Sequence, residues 1–199
     1  MNYWSQRGMD YFLVKRVFDA TLSCIALILL SPLMFIIALI IVGLDGYPII
    51  YWSKRIGANT RVFKMPKFRT MKPETPAVAT HLLKSPDACM TLIGPFLRKT
   101  SLDELPQLWS ILIGDMSLVG PRPALFNQTK LIVMRKNAGI DQLKPGLTGL
   151  AQVNGRDELT DAIKIQFDQK YLKNISFSLD LKIIGLTFIQ VLFGKNVSH

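Results

Sequence analysis

Asp103 and Glu104 stand side by side within residues 100–109, TSLDELPQLW, in a chain that carries 24 Lys and Arg against 14 Asp and Glu. An adjacent carboxylate pair in so positive a sequence can supply a nucleophile or the oxygen ligands of a metal ion. The same residues also fit helix capping. Ser101 precedes Glu104 by three positions, the spacing of a capping box, and acidic side chains are favourable in a first helical turn. Pro106 separates two registers. With Ser101 as the cap, Pro106 falls where an intrahelical donor is first required; with Asp103 as the cap it falls where none is needed. In the second register backbone donors and the helix dipole keep the Asp103 carboxylate ionised, as attack on an electrophile or metal ligation requires.

Candidate anion-binding residues lie on both sides. Arg122 sits between Pro121 and Pro123, so its backbone is stiff and its guanidinium restricted, which suits a phosphate clamp and equally a rigid exposed turn. In 62–71, VFKMPKFRTM, apolar and basic residues alternate, predicting an extended segment that presents Lys64, Lys67 and Arg69 on one face; a half-exposed strand with solvated lysines has the same pattern. In 144–156, Gly146 and Gly149 permit close backbone approach to a ligand and Asn154-Gly155 signals a tight turn, but the stretch is not a Walker or dinucleotide fingerprint.

These residues need elements to position them. Net charge is +10, which points to polyanionic partners, and a mean hydropathy of +0.27 favours a membrane surface over nucleic acid. The two cysteines, Cys24 and Cys89, have no zinc-type spacing, which fits a reducing compartment. Aromatic residues Tyr3, Trp4, Tyr11 and Phe12 near Arg7 read either as a headgroup-level anchor or as a frayed terminus. Residues 17–44 carry only Asp19, Thr21, Ser23 and Ser31 as polar side chains, enough length to cross roughly 30 Å of hydrocarbon at about 1.5 Å per residue. Pro32 predicts a break or sharp kink at Ser31-Pro32, and basic residues on both flanks favour one cytoplasmic side for both ends. A re-entrant helix satisfies both signals; a spanning helix remains the alternative.

Beyond it, 49–52 reads as a short strand or an interfacial apolar stretch, 54–59 as a basic loop, 72–87 as a long surface loop, 125–138 as a helix and 179–193 as a buried or interfacial helix. The expected fold is an α/β membrane protein, mostly helical. It comprises an interfacial segment (1–15), a re-entrant helix (16–44) and a small cytosolic, membrane-associated catalytic domain (45–199) with interfacial amphipathic helices and a short β element.

Taken together, 15–19 (KRVFD), Ser31-Pro32, 67–71 (KFRTM), 100–109, 114–123 and 144–156 resemble, in order, the motifs of the monotopic phosphoglycosyl transferases, the bacterial sugar transferases that initiate glycan assembly. The resemblance covers 15–193. It implies transfer of a phospho-sugar from a UDP-sugar to polyprenyl (undecaprenyl) phosphate with release of UMP, at the cytoplasmic face of the bacterial inner membrane. It further implies Asp103 as nucleophile and Mg²⁺ ligand, Glu104 as its assistant in the second step, Lys67, Arg98 and Arg122 as phosphate-binding cations, and Ser31-Pro32 as the breaker of a re-entrant helix. The implied partners are donor, lipid acceptor and bilayer, with a homodimer compatible and nucleic acid not expected. Two departures bear on the donor sugar: Ser53 stands where the family usually has glutamine, and 73–90 is atypical. A membrane-anchored basic scaffold without turnover is the alternative reading.

Overall fold

The computed structural model describes residues 6–76, 78, 85–155 and 159–193. Tyr3, Trp4, Arg156 and the centre of the 72–87 loop lie outside them, as does the side chain of Arg7. One helix, α1 (Gln6–Asp45), runs for 40 residues and is long and apolar enough to cross a membrane. Pro32 lies inside it, and the helix runs on through Ser31-Pro32. Proline offers no N–H to the carbonyl four residues back, that of Ile28. Ser31 Oγ donates to that carbonyl at 2.8 Å, so the hydroxyl replaces the missing amide and the helix continues.

Along α1, Lys15, Asp19, Ser23, Ile37 and Ile41 are buried at spacings that keep one face inward, while Val17, Ile25, Ile28, Leu29, Phe35, Ile36 and Leu39 are exposed. Ser31, Pro32 and Leu33 are all exposed. Two clusters divide the helix between them. Phe18 and Leu27 pack on Phe63, Leu108, Ile111, Val119, Tyr171 and Ile183, whereas Ile37 and Ile41 pack with Phe68 and Leu97.

Strands β1 (Ile50–Ile56) and β2 (Val62–Phe68) form an antiparallel hairpin with Ser53 opposite Met65 and Tyr51 opposite Lys67. Lys54 and Arg55 are therefore strand residues, and the loop expected at 54–59 shortens to a turn around 57–61. The expectation that Lys64 and Lys67 share a face is also corrected. Side chains alternate along a strand, so residues an odd number apart point oppositely. Lys67 lies on the inward face with Phe63 and Met65, and Lys64 is exposed.

Helix α2 (Gly94–Lys99), a 3-10 turn over Leu102–Glu104 and helix α3 (Gln107–Ile113) carry the acidic pair. Arg16 Nη1 and Nη2 donate to the carbonyls of Ile111 and Leu112, each at 2.6 Å, closing the C-terminal end of α3. Arg69 Nη2 does the same for α1 through the carbonyls of Asp45 and Gly46, each at 2.6 Å. Two cations that the sequence offers to a membrane surface are thus committed to helix ends.

Strands β3 (Ser117–Val119) and β4 (Gly146–Thr148) pair in parallel. A Cβ on Gly146 would stand 2.1 Å from the nitrogen of Gly120, and one on Gly149 2.1 Å from its carbonyl oxygen. The close approach anticipated at these glycines is to the protein's own backbone rather than to a ligand. Helices α4 (Thr129–Asn137) and α5 (Asp161–Lys173) and the final helix α6 (Phe177–Phe193) complete the chain. The 125–138 helix starts late because Leu125 bridges to Arg55 on β1. In α6, Asp180 and Ile183 are buried while Leu181, Phe188, Ile189 and Val191 are exposed, so the helix is one-sided.

Candidate active site

Neither capping register describes the acidic pair. Ser101 adopts a left-handed conformation (φ 57°) and its side chain makes no cap hydrogen bond; α3 begins only after Pro106. Proline at that position sacrifices no intrahelical bond and its fixed φ starts the helix. Asp103 and Glu104 therefore project from a separate 3-10 turn that abuts β2. Side chains from other elements meet their charges.

Lys67, at the end of β2, places Nζ 2.7 Å from Glu104 Oε1 and 3.7 Å from Asp103 Oδ2. Arg122 Nη1 stands 3.8 Å from the same Glu104 oxygen. Asp103 is only 6% exposed; Glu104 is half-buried and borders a small open cleft with Arg55, Lys67, Gln107, Arg122 and Gly146. Arg98, on α2, donates Nε to Thr70 Oγ1 at 3.1 Å and Nη2 to Met71 Sδ at 3.5 Å, just past the end of β2. Of the anticipated site residues, Glu104, Lys67 and Arg122 thus line one cleft, Asp103 stands beside it through Lys67, and Arg98 is not among its lining residues. Three cations, Arg55, Lys67 and Arg122, line it with Glu104, and Asp103 lies just behind Lys67, which leaves the cleft positive and suited to an anion.

Arg55 and Gln107 were not singled out in the sequence. Arg55 shares the inward face of β1 with Ser53, and its Nε donates to Ser53 Oγ at 3.0 Å. The position at which the chain departs from the familiar glutamine therefore touches a cleft residue. The signal for Arg55 was its parity with Ser53 on one strand, concealed by reading the segment as a loop. Gln107 is buried at the start of α3, and its Nε2 has no protein partner. A lone glutamine in an apolar run carries no spacing that would have marked it.

Among the described residues no group of three or more His, Cys, Asp or Glu could hold a metal. Two adjacent carboxylates are nevertheless enough for Mg²⁺, which commonly takes one or two from the protein and completes its shell with water and substrate phosphate.

A positive cleft lined by Glu104 with Asp103 beside it, in a chain with an apolar helix of membrane length, fits the class of membrane-associated enzymes that handle phosphate-bearing substrates. The family described as bacterial sugar transferase matches residues 10–194, and the chain belongs to it; it is a phosphoglycosyl transferase. It is similar to the exopolysaccharide production protein ExoY of Sinorhizobium fredii, 37% identical over 196 residues that cover 91% of this chain and 86% of that protein. It is 40% identical over 189 residues to the uncharacterized sugar transferase EpsL of Bacillus subtilis, covering 94% and 91%. With the undecaprenyl-phosphate galactose phosphotransferase of Salmonella typhimurium it shares 39% identity over 197 residues, which are 90% of this chain and 40% of that larger protein.

Proposed function

We propose that the enzyme transfers a phospho-sugar from a UDP-sugar to undecaprenyl phosphate, releasing UMP, at the cytoplasmic face of the bacterial inner membrane. The observation that carries this reading is the convergence of Lys67 and Arg122 on Glu104 beside the buried Asp103. In the first step an Asp103 carboxylate oxygen attacks the β-phosphorus of the donor. The bond from that phosphorus to the bridging oxygen breaks, UMP leaves, and the sugar phosphate is held as an acyl phosphate on Asp103. In the second step a phosphate oxygen of the lipid attacks the same phosphorus. The Asp103–phosphorus bond breaks, the carboxylate is restored and a polyprenyl diphosphate sugar departs. Glu104 positions the acceptor or takes its proton. Lys67, Arg98 and Arg122 neutralise the phosphates, with Arg122 held stiff by its flanking prolines. Mg²⁺ held by Asp103 and the donor's phosphate oxygens would add charge neutralisation at the leaving group.

The expected result with purified enzyme, undecaprenyl phosphate, Mg²⁺ and a panel of UDP-sugars is UMP release with at least one donor, abolished by EDTA and restored by Mg²⁺. Salt-sensitive binding to anionic vesicles with no UMP from any donor would favour the scaffold reading instead.

For α1 we propose a re-entrant path bent at Ser31-Pro32. Its support is that both halves dock on one body. Arg16 and Asp19 engage residues 111–118, while the carbonyls of Asp45 and Gly46 and the side chains of Ile37 and Ile41 engage Arg69, Phe68 and Leu97. A spanning helix would place its ends on opposite surfaces, about 30 Å apart across hydrocarbon. In a background with Cys24 and Cys89 changed to Ala, a single cysteine at the N-terminus is expected to resist membrane-impermeant maleimide in intact cells and to react in lysed ones. Equal labelling of both would establish a spanning helix.

A further inference from the structure

Residues 121–124 present four consecutive carbonyls, and each is met by a different donor. Gly146 N donates to Pro121 O at 2.9 Å, Arg135 Nη1 to Arg122 O at 2.7 Å, Arg55 Nη1 to Pro123 O at 3.0 Å and Ile56 N to Ala124 O at 2.9 Å. Two of these donors are backbone amides. The other two are arginine side chains, and they meet the carbonyls of Arg122 itself and of the proline after it.

Arg135 is the more constrained of the two. It is 9% exposed, and the other edge of its guanidinium is taken by Asp168 on α5, with Nε and Nη2 at 3.1 and 2.8 Å from Oδ2. Asp168 is 2% exposed. Burial pushes its carboxyl above the ordinary carboxylate range, and the Arg135 charge opposes that push. Ion pairs so deeply buried are poor sources of stability, because desolvation offsets their attraction and apolar residues of similar volume often serve as well. Apolar residues could not, however, hold the Arg122 carbonyl. A planar fork with donors on two edges can face a carboxylate and a carbonyl at once and fixes the angle between them, which an ammonium does not.

We infer that Arg135 and Asp168 are positioning residues for Arg122: the pair fixes the peptide from which the Arg122 guanidinium reaches toward Glu104 and the donor's phosphates. This rests on the reading of Arg122 as a phosphate-binding cation. Asp168, on α5, thereby acts on the cleft through Arg135, on α4, without touching substrate.

The test is a double-mutant cycle on UMP release, with rates normalised to the number of active sites measured by the UMP burst in the absence of lipid acceptor. Arg135→Lys keeps the charge but not the fork, and Asp168→Asn weakens the grip on it. Each is expected to lower kcat by about 10²-fold, the scale on which misplacement of a binding group is felt. Each is expected to add little to the loss already caused by Arg122→Ala, because the positioned group is then gone. Wild-type kcat per active site in both variants would overturn the inference, and so would losses that multiply with that of Arg122→Ala. If both variants lose activity only by unfolding, followed by thermal melting in detergent, the pair serves stability alone and the inference fails. Full activity of Arg122→Ala would refute the reading of Arg122, and with it the inference.

Discussion

Asp103→Asn is expected to abolish UMP release, by about 10⁴-fold or more, while the protein folds and docks its helix as before. The change preserves size and hydrogen-bonding shape but removes the nucleophilic oxygen, and the loss of a covalent nucleophile is among the largest single effects in enzymes. Incubation with a UDP-sugar and no lipid acceptor separates the roles of the two carboxylates. Wild-type enzyme should release about one equivalent of UMP and gain the mass of a sugar phosphate on intact-protein mass spectrometry. Asp103→Asn should do neither. Glu104→Gln should still form the adduct and fall by about 10²-fold or more in its discharge, within the range of general acid–base effects. An adduct formed by Asp103→Asn at the wild-type rate would rule out Asp103 as nucleophile.

Lys15→Met is expected to destabilise the fold by about 3–5 kcal/mol, the cost of leaving buried carboxylates without their cation. Lys15 Nζ lies 2.7 Å from Asp180 Oδ2 and 3.9 Å from Asp19 Oδ1. Asp180 also accepts from Tyr11 and Tyr171, each at 2.7 Å, and Asp19 accepts from Ser117 Oγ at 2.7 Å. All three charged residues are buried. Burial and the Asp180 charge raise the Tyr171 phenol above its ordinary range, so it stays a donor to that carboxylate at any physiological pH. The network joins α1 to β3, α5 and α6 near the start of the apolar run. Without Lys15 two carboxylates face each other in a water-poor site. Adding Asp180→Asn to Lys15→Met should recover part of the loss, since it removes a charge rather than restoring one. Thermal unfolding in detergent micelles is the measurement. A midpoint unchanged in Lys15→Met would show that the network carries no such weight.

Asp103 and Lys15 differ in how far their surroundings in the sequence mark them. The proposed nucleophile is legible in the sequence because Asp103-Glu104 is a local anomaly set among motifs that recur in one order. Lys15 read only as a positive flank of an apolar run. Nothing in its neighbours distinguishes a lysine that faces lipid headgroups from one that neutralises a carboxylate 165 positions away. Arg16 sits in the basic flank of the apolar run and Arg69 in an alternating basic segment, yet each closes a helix end. Lys64 and Lys67 were grouped by spacing, although the parity of a strand separates them.

By itself the sequence determined the family, the acidic pair, the apolar helix with its Ser31-Pro32 step and the rigid Pro121-Arg122-Pro123 turn. All of these are encoded in contiguous residues through composition, periodicity or backbone restriction. Only the tertiary structure decided which cations serve the cleft and which serve the fold. It set Lys67, Arg122 and Arg55 around Glu104, turned Arg16, Arg69 and Lys15 inward, and placed Arg135 and Asp168 behind Arg122. The physical reason is that a charge finds its role through the partner it meets in space. Hydrogen bonds and ion pairs between distant segments have no period, so their partners become visible only once the chain has packed.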